Sequence, residues 1–120
     1  METTKNYEQM TEIEQMRYNQ ILPKFEIYSE DDEFKENRKF LIGDIVSIDK
    51  TKFEDLQQDK FYLFKTHDFM PFLRKVDILQ DRIILKAEKP ENSLILSNSK
   101  EQFIKVFKEI YVCRMNTVNV

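Results

Sequence analysis

Apolar residues at Tyr7, Met10, Ile13, Met16, Ile21 and Leu22 recur at close to one helical face. The spacing predicts one amphipathic helix from Asn6 to Leu22, ended by Pro23, with Thr3 or Thr4 as caps and its Met and Tyr stripe packed into the core or onto a partner. A helix-turn-helix needs a second such helix and a turn, and neither is present. After Pro23 the pattern shortens to β-rich runs: 25–28, 45–48, 61–66, 72–79, 83–87, 94–97 and 110–115. The turns between them carry Asp, Asn, Lys and Pro, as in Gln57-Gln58-Asp59, Leu79-Gln80-Asp81 and Lys89-Pro90-Glu91-Asn92. Ser99, followed by Glu101-Gln102 and then Phe103, Val106 and Phe107, predicts a short capped helix before the last strand. The expected fold is mainly β, a bent antiparallel sheet with an N-terminal helix, divided as a helical segment over 1–24 and a β domain over 25–120.

Gly43 precedes the Ile45 run, and its tolerance of positive φ places a tight turn there. The segment Ser29-Glu30-Asp31-Asp32-Glu33-Phe34-Lys35-Glu36-Asn37-Arg38-Lys39 reads, on charge density, as a mobile solvated loop.

With 120 residues the chain has the size of one domain, and 41% hydrophobic residues, including ten Phe and five Tyr, suffice for a packed core. Nineteen basic against twenty-two acidic residues leave a net charge of -3, which removes the electrostatic footprint of a general nucleic-acid binder. The single glycine denies the chain any glycine-rich phosphate loop. No apolar run approaches the ~18 residues of a membrane span and the start METTKNYEQM has no secretory pattern, so a cytoplasmic protein without membrane contact is expected.

Candidate chemistry is sparse. The one histidine, His67, has no second nitrogen or sulfur ligand nearby in sequence and reads as a surface-turn residue. The one cysteine, Cys113, lies in the apolar run Ile110-Tyr111-Val112-Cys113 and reads as a buried, inert thiol; it excludes an internal disulfide. The acids at 30–33 lack the alternating ligands and central glycine of a calcium loop. No cofactor or metal is expected.

Five stretches occur in order: Phe40-Leu41-Ile42-Gly43-Asp44-Ile45-Val46-Ser47-Ile48-Asp49, Asp59-Lys60-Phe61-Tyr62-Leu63-Phe64, Phe72-Leu73-Arg74-Lys75-Val76, 82–91 with its Lys89-Pro90-Glu91 turn, and Phe107-Lys108-Glu109-Ile110-Tyr111-Val112. Together, over about 25–115, they resemble the C-terminal domain of LexA and phage repressors. The resemblance implies a mostly β fold and a serine nucleophile, activated by a lysine, that cuts the protein's own chain. Carried over residue by residue, both halves of that dyad are replaced. Aligning Phe25-Glu26-Ile27-Tyr28 with the family's strand puts Asp31 at the nucleophile and Ser29 two residues early, while counting back from Gly43 reaches Lys35. At the base stands Arg74, which stays protonated at any accessible pH, and the neighbouring Lys75 points to the opposite strand face.

The resemblance with its lost dyad implies a non-catalytic LexA-like regulatory or dimerisation module without direct nucleic-acid contact. The alternatives are an active self-cleaving serine peptidase using Ser29 with Lys75, Lys35 or Lys39, and an unrelated small β-barrel binding protein. The last strand adds an association argument. Ile110 and Val112 alternate with Tyr111, Cys113 and Met115, so both faces are apolar and the strand is either sandwiched inside the domain or covered by a second copy. LexA-like domains pair through this region, so a homodimer is expected. The alternative is a monomer in which Met10, Ile13 and Met16 of the N-terminal helix cover the Tyr111 face.

Overall fold

The computed structural model describes residues 6–36 and 40–117, with side chains to Arg114. Seven strands, β1 (Lys24–Glu26), β2 (Ile45–Thr51), β3 (Phe61–Thr66), β4 (Phe72–Ile78), β5 (Arg82–Lys86), β6 (Leu94–Ser97) and β7 (Phe107–Thr117), form one sheet in the order β1-β2-β7-β3-β4-β5-β6. Every neighbouring pair is antiparallel. The mainly β class and all seven expected strands are present, two with the expected ends and the others with ends moved by up to three residues. β7 carries an extra residue at two places, Arg114 opposite Ser47/Ile48 of β2 and Lys108 opposite Lys65/Thr66 of β3, and these irregularities increase the local twist.

Alternation along β3 explains the two-sided core. Tyr62 and Phe64 face one cluster, with Val76, Ile83, Leu85, Phe103, Phe107 and Ile110. Leu63 faces the other, with Ile27, Phe34, Phe40, Val46, Ile48 and Leu73, and Phe61 packs against it. The helix α2 (Lys100–Val106), capped by Ser99 accepting from the Gln102 amide at 3.4 Å, drives the fully buried Phe103 into the first cluster. β7 lies between β2 and β3, so Val112 packs on the first cluster and Tyr111 and Cys113 on the second. The apolar alternation that motivated a dimer through this strand is therefore accounted for inside one chain, the Met115 side chain lying outside the described ones.

The N-terminal helix differs from expectation in length and in face. A 3-10 turn at Tyr7–Gln9 ends at Met10, and α1 runs from Glu12 to Ile21. Its cap is Thr11: the hydroxyl accepts from the Glu14 amide at 3.2 Å and the Glu14 carboxylate accepts from the Thr11 amide at 2.9 Å. Thr3 and Thr4 lie outside the described residues. The only buried residue of α1 is Asn19, whereas Ile13 and Met16 are 63% and 56% exposed. The helix therefore does not lay Ile13 and Met16 over Tyr111. Among the described residues no helix is long and apolar enough to cross a membrane.

Within the acidic segment, residues 32–34 are docked. Phe34 bridges Phe40, both rings packing on Phe61 at centroid distances of 4.7 and 4.8 Å, and Asp32 and Glu33 are buried. Charge density alone predicted solvent; the aromatic anchors on either side of the charges overrode it. Gly43 sits in the expected turn with φ +99°, where the Asp44 amide donates to Leu41 O at 2.9 Å.

Candidate functional site

β5 pairs with β4 only from Ile78 back to Lys75, which leaves the β4 edge at Leu73 without a strand neighbour. The 3-10 turn Glu30–Asp32 fills that edge. Ser29 starts it, its hydroxyl accepting from the Asp31 amide at 3.3 Å. The Asp32 carboxylate then takes the place of a strand carbonyl, accepting from the Leu73 amide at 3.0 Å. Arg74, opposite Tyr62 on the first-cluster face, folds back to the same point. Its Nη1 donates to Asp32 Oδ1 at 3.2 Å, to Asp31 O at 3.2 Å and to Leu73 O at 2.7 Å, and its guanidinium stacks 5.0 Å from the Phe72 ring. Arg74 Nε is buried without a hydrogen-bond partner.

Burial pushes the Asp32 carboxyl above its ordinary value, opposed by the Leu73 amide and by Arg74. Burial also pushes Arg74 down, opposed by Asp32. An arginine starts so high that it keeps its proton at any accessible pH. The pair thus holds a carboxylate whose inner oxygen is occupied and a cation that cannot act as a base. Outside it, Asn92 Nδ2 donates to Asp31 Oδ1 at 3.0 Å and the Glu36 amide donates to Glu88 Oε1 at 2.9 Å, tying the loop to the β5–β6 connection.

The other sequence candidates are dispersed. Lys75 lies on the opposite face of β4 from Arg74, opposite Phe61, with its ammonium 6.0 Å from that ring. No hydrogen bond joins Ser29 to Lys75. Lys35 is exposed and pairs with Glu33 at 3.6 Å; Lys39 lies outside the described residues. His67 is exposed in the β3–β4 turn. Cys113 is half-buried at the second cluster rather than fully buried. Among the described residues no three metal-ligating side chains come together.

Sequence reasoning passed over a groove of about 400 Å³ between the 3-10 turns Tyr7–Gln9 and Phe53–Asp55, floored by Tyr62, Val112 and Arg114. Arg114 stacks 4.1 Å from the Tyr7 ring and reaches Asp49 at 3.0 Å and Glu8 at 4.0 Å. The Tyr62 hydroxyl accepts from the Gln57 amide at 2.8 Å. Arg114 is spent on holding the N-terminal turn to the sheet and the Tyr62 hydroxyl on holding the 55–57 segment, and among the described residues the groove contains no nucleophile hydrogen-bonded to a base. Comparison with protein-family models, with curated proteins and with solved structures finds no match.

Proposed function

We propose that the chain is a non-catalytic regulatory and protein-interaction module of the LexA and phage-repressor C-terminal type, acting in transcription control through protein contacts. The observation that carries this reading is the meeting of Arg74 with the Asp31–Asp32 turn. The sequence resemblance assigns Asp31 to the nucleophile and Arg74 to the base, and Arg74 Nη1 lies 3.2 Å from Asp31 O and from Asp32 Oδ1. Two positions that must converge in a catalytic relative are neighbours here, but Arg74 meets the Asp31 backbone carbonyl and forms its ion pair with Asp32, contacts that fasten a loop to a sheet edge. The serine and lysine nearest in sequence have other duties, Ser29 starting the turn and Lys75 covering Phe61.

The test is reactivity. Purified protein incubated with a fluorophosphonate at neutral and alkaline pH should remain unlabelled and full length at 14.6 kDa by intact mass. Labelling or self-cleavage that disappears in Ser29→Ala would establish an active peptidase and end the proposal.

A further inference from the structure

β1 stands at one end of the strand order and pairs with β2 alone. Two bonds flanking it, Ile48 N to Pro23 O at 3.0 Å and Ile27 N to Asp44 O at 2.8 Å, fix which way its backbone groups point. In an antiparallel pair the residues that bond a given neighbour alternate, so Pro23, Phe25 and Ile27 face β2. Lys24 and Glu26 therefore turn their amides and carbonyls to the open edge. No described hydrogen bond uses those backbone groups.

The side chains of the same two residues carry opposite charges on one face of the strand. Lys24 Nζ donates to Asn19 O at 2.8 Å, to Leu22 O at 2.7 Å and to Gln20 O at 3.5 Å, main-chain carbonyls that hold the ammonium in place without neutralising it. Glu26 is exposed, and among the described residues neither side chain makes an ion pair. A second β1 laid antiparallel, with the two-fold axis between the two Phe25 residues, sets Lys24 of each copy directly opposite Glu26 of the other. That register also brings every outward amide to an outward carbonyl, and it joins the two half-buried Phe25 side chains on the other face. The neighbouring symmetric registers oppose Lys24 to Lys24 or Glu26 to Glu26. Charge thus selects both the partner and the register.

α1 leaves room for this pairing. It passes over β2, where Tyr18 donates to Asp49 Oδ2 at 2.9 Å and Asn19 O accepts from Ser47 Oγ at 3.3 Å. Three strand spacings separate the helices of two such copies, roughly 14 Å against the about 8–10 Å at which helices pack.

We infer that the open edge of β1, Lys24-Phe25-Glu26, is a homodimerisation edge that takes β1 of a second copy of this chain as an antiparallel strand. This rests on the reading of the chain as an interaction module, and it moves the interface from β7 to β1. The pairing is isologous, so it closes as a dimer. A three-residue strand pair falls below the roughly 1,200 Å² of a standard interface, which puts the dimer in the weak, concentration-dependent class.

Sedimentation equilibrium on the full chain tests it. The wild type should pass from 14.6 kDa toward twice that mass as concentration rises. Lys24→Glu and Glu26→Lys each set like charges opposite one another, so each variant alone should stay at 14.6 kDa. An equimolar mixture of the two variants pairs opposite charges at both positions, and there the doubled mass should return. Lys24→Glu also takes the ammonium from the end of α1; if circular dichroism shows that variant unfolded, Glu26→Lys decides alone, because the Glu26 side chain is exposed and holds nothing described. A wild type monomeric at every concentration, a dimer indifferent to Glu26→Lys, or a mixture of two folded variants that stays monomeric would each overturn the inference. None of these outcomes imitates fluorophosphonate labelling or self-cleavage, so the two proposals fail separately.

Discussion

Asp32 and Arg74 approach to 3.2 Å with side chains only 6% and 8% exposed, and the same Asp32 oxygen holds the amide of Leu73. Removing one member of such a pair leaves a buried charge without compensation, which costs about 3–5 kcal/mol. Arg74→Met is therefore expected to destabilise the fold by that amount in urea unfolding. Adding Asp32→Asn should recover a large part of the loss, because an amide oxygen still accepts from Leu73 while burying no charge. A double variant as unstable as the sum of the two single ones would show the groups to be energetically independent.

The same carboxyl has a pH signature. Burial raises the folded-state pKa of Asp32 above the ordinary 3.8, so the folded chain binds this proton more tightly than the unfolded chain. Its contribution to stability is complete below 3.8 and is lost as pH rises through the raised folded value. Asp32→Asn should accordingly flatten the fall in stability across that acidic window, read from urea midpoints at a series of pH values. A wild type that gains more stability than Asp32→Asn on going up through the window would reverse the assignment.

Tyr111 supplies an alkaline counterpart. Burial, followed by its 2.7 Å hydrogen bond to Glu109 and the charge there, lifts the phenol from the ordinary 10.0 to about 12. A raised phenol favours the folded state below 10.0, and that contribution is lost as pH rises through about 12. Tyrosinate absorbance should show a late-ionising group that Tyr111→Phe removes, and Glu109→Gln should move it to lower pH while keeping an acceptor. Loss of a group that titrates at 10.0 in Tyr111→Phe would refute the account.

The strands were legible because their signal is local. Phe61 to Phe64 is apolar at every position, which fits only a strand covered on both faces, and Ser99 before Phe103 announces its helix within five residues. The errors arose where the deciding contact is remote. Periodicity located the apolar arc of α1 but not the side facing the sheet, which is fixed by Tyr18 and Asp49, 31 positions apart. Likewise Asp32 and Arg74 stand 42 positions apart, so the acidic run gave no sign of its cation. Two signals were readable and missed: Thr11 with Glu14 three residues on, and the anchoring aromatics Phe34 and Phe40.

Gly43 isolates a purely backbone effect in the loop that carries Asp32. Its φ of +99° lies where L residues are strained, yet a Cβ built there meets no atom within 4 Å. Gly43→Ala therefore introduces no clash, and its cost is the strain alone, about 1–2 kcal/mol. The Gly43 amide donates to Ile27 O and the Ile27 amide donates to Asp44 O, both at 2.8 Å, so the strained turn remains pinned to the buried strand exit rather than swinging free. The expected result is a lower urea midpoint with an unchanged slope, since the surface exposed on unfolding is the same. A Gly43→Ala protein as stable as the wild type would mean that this turn relaxes to negative φ without loss, and that the docking of Ile27, Phe34 and Phe40 does not depend on it.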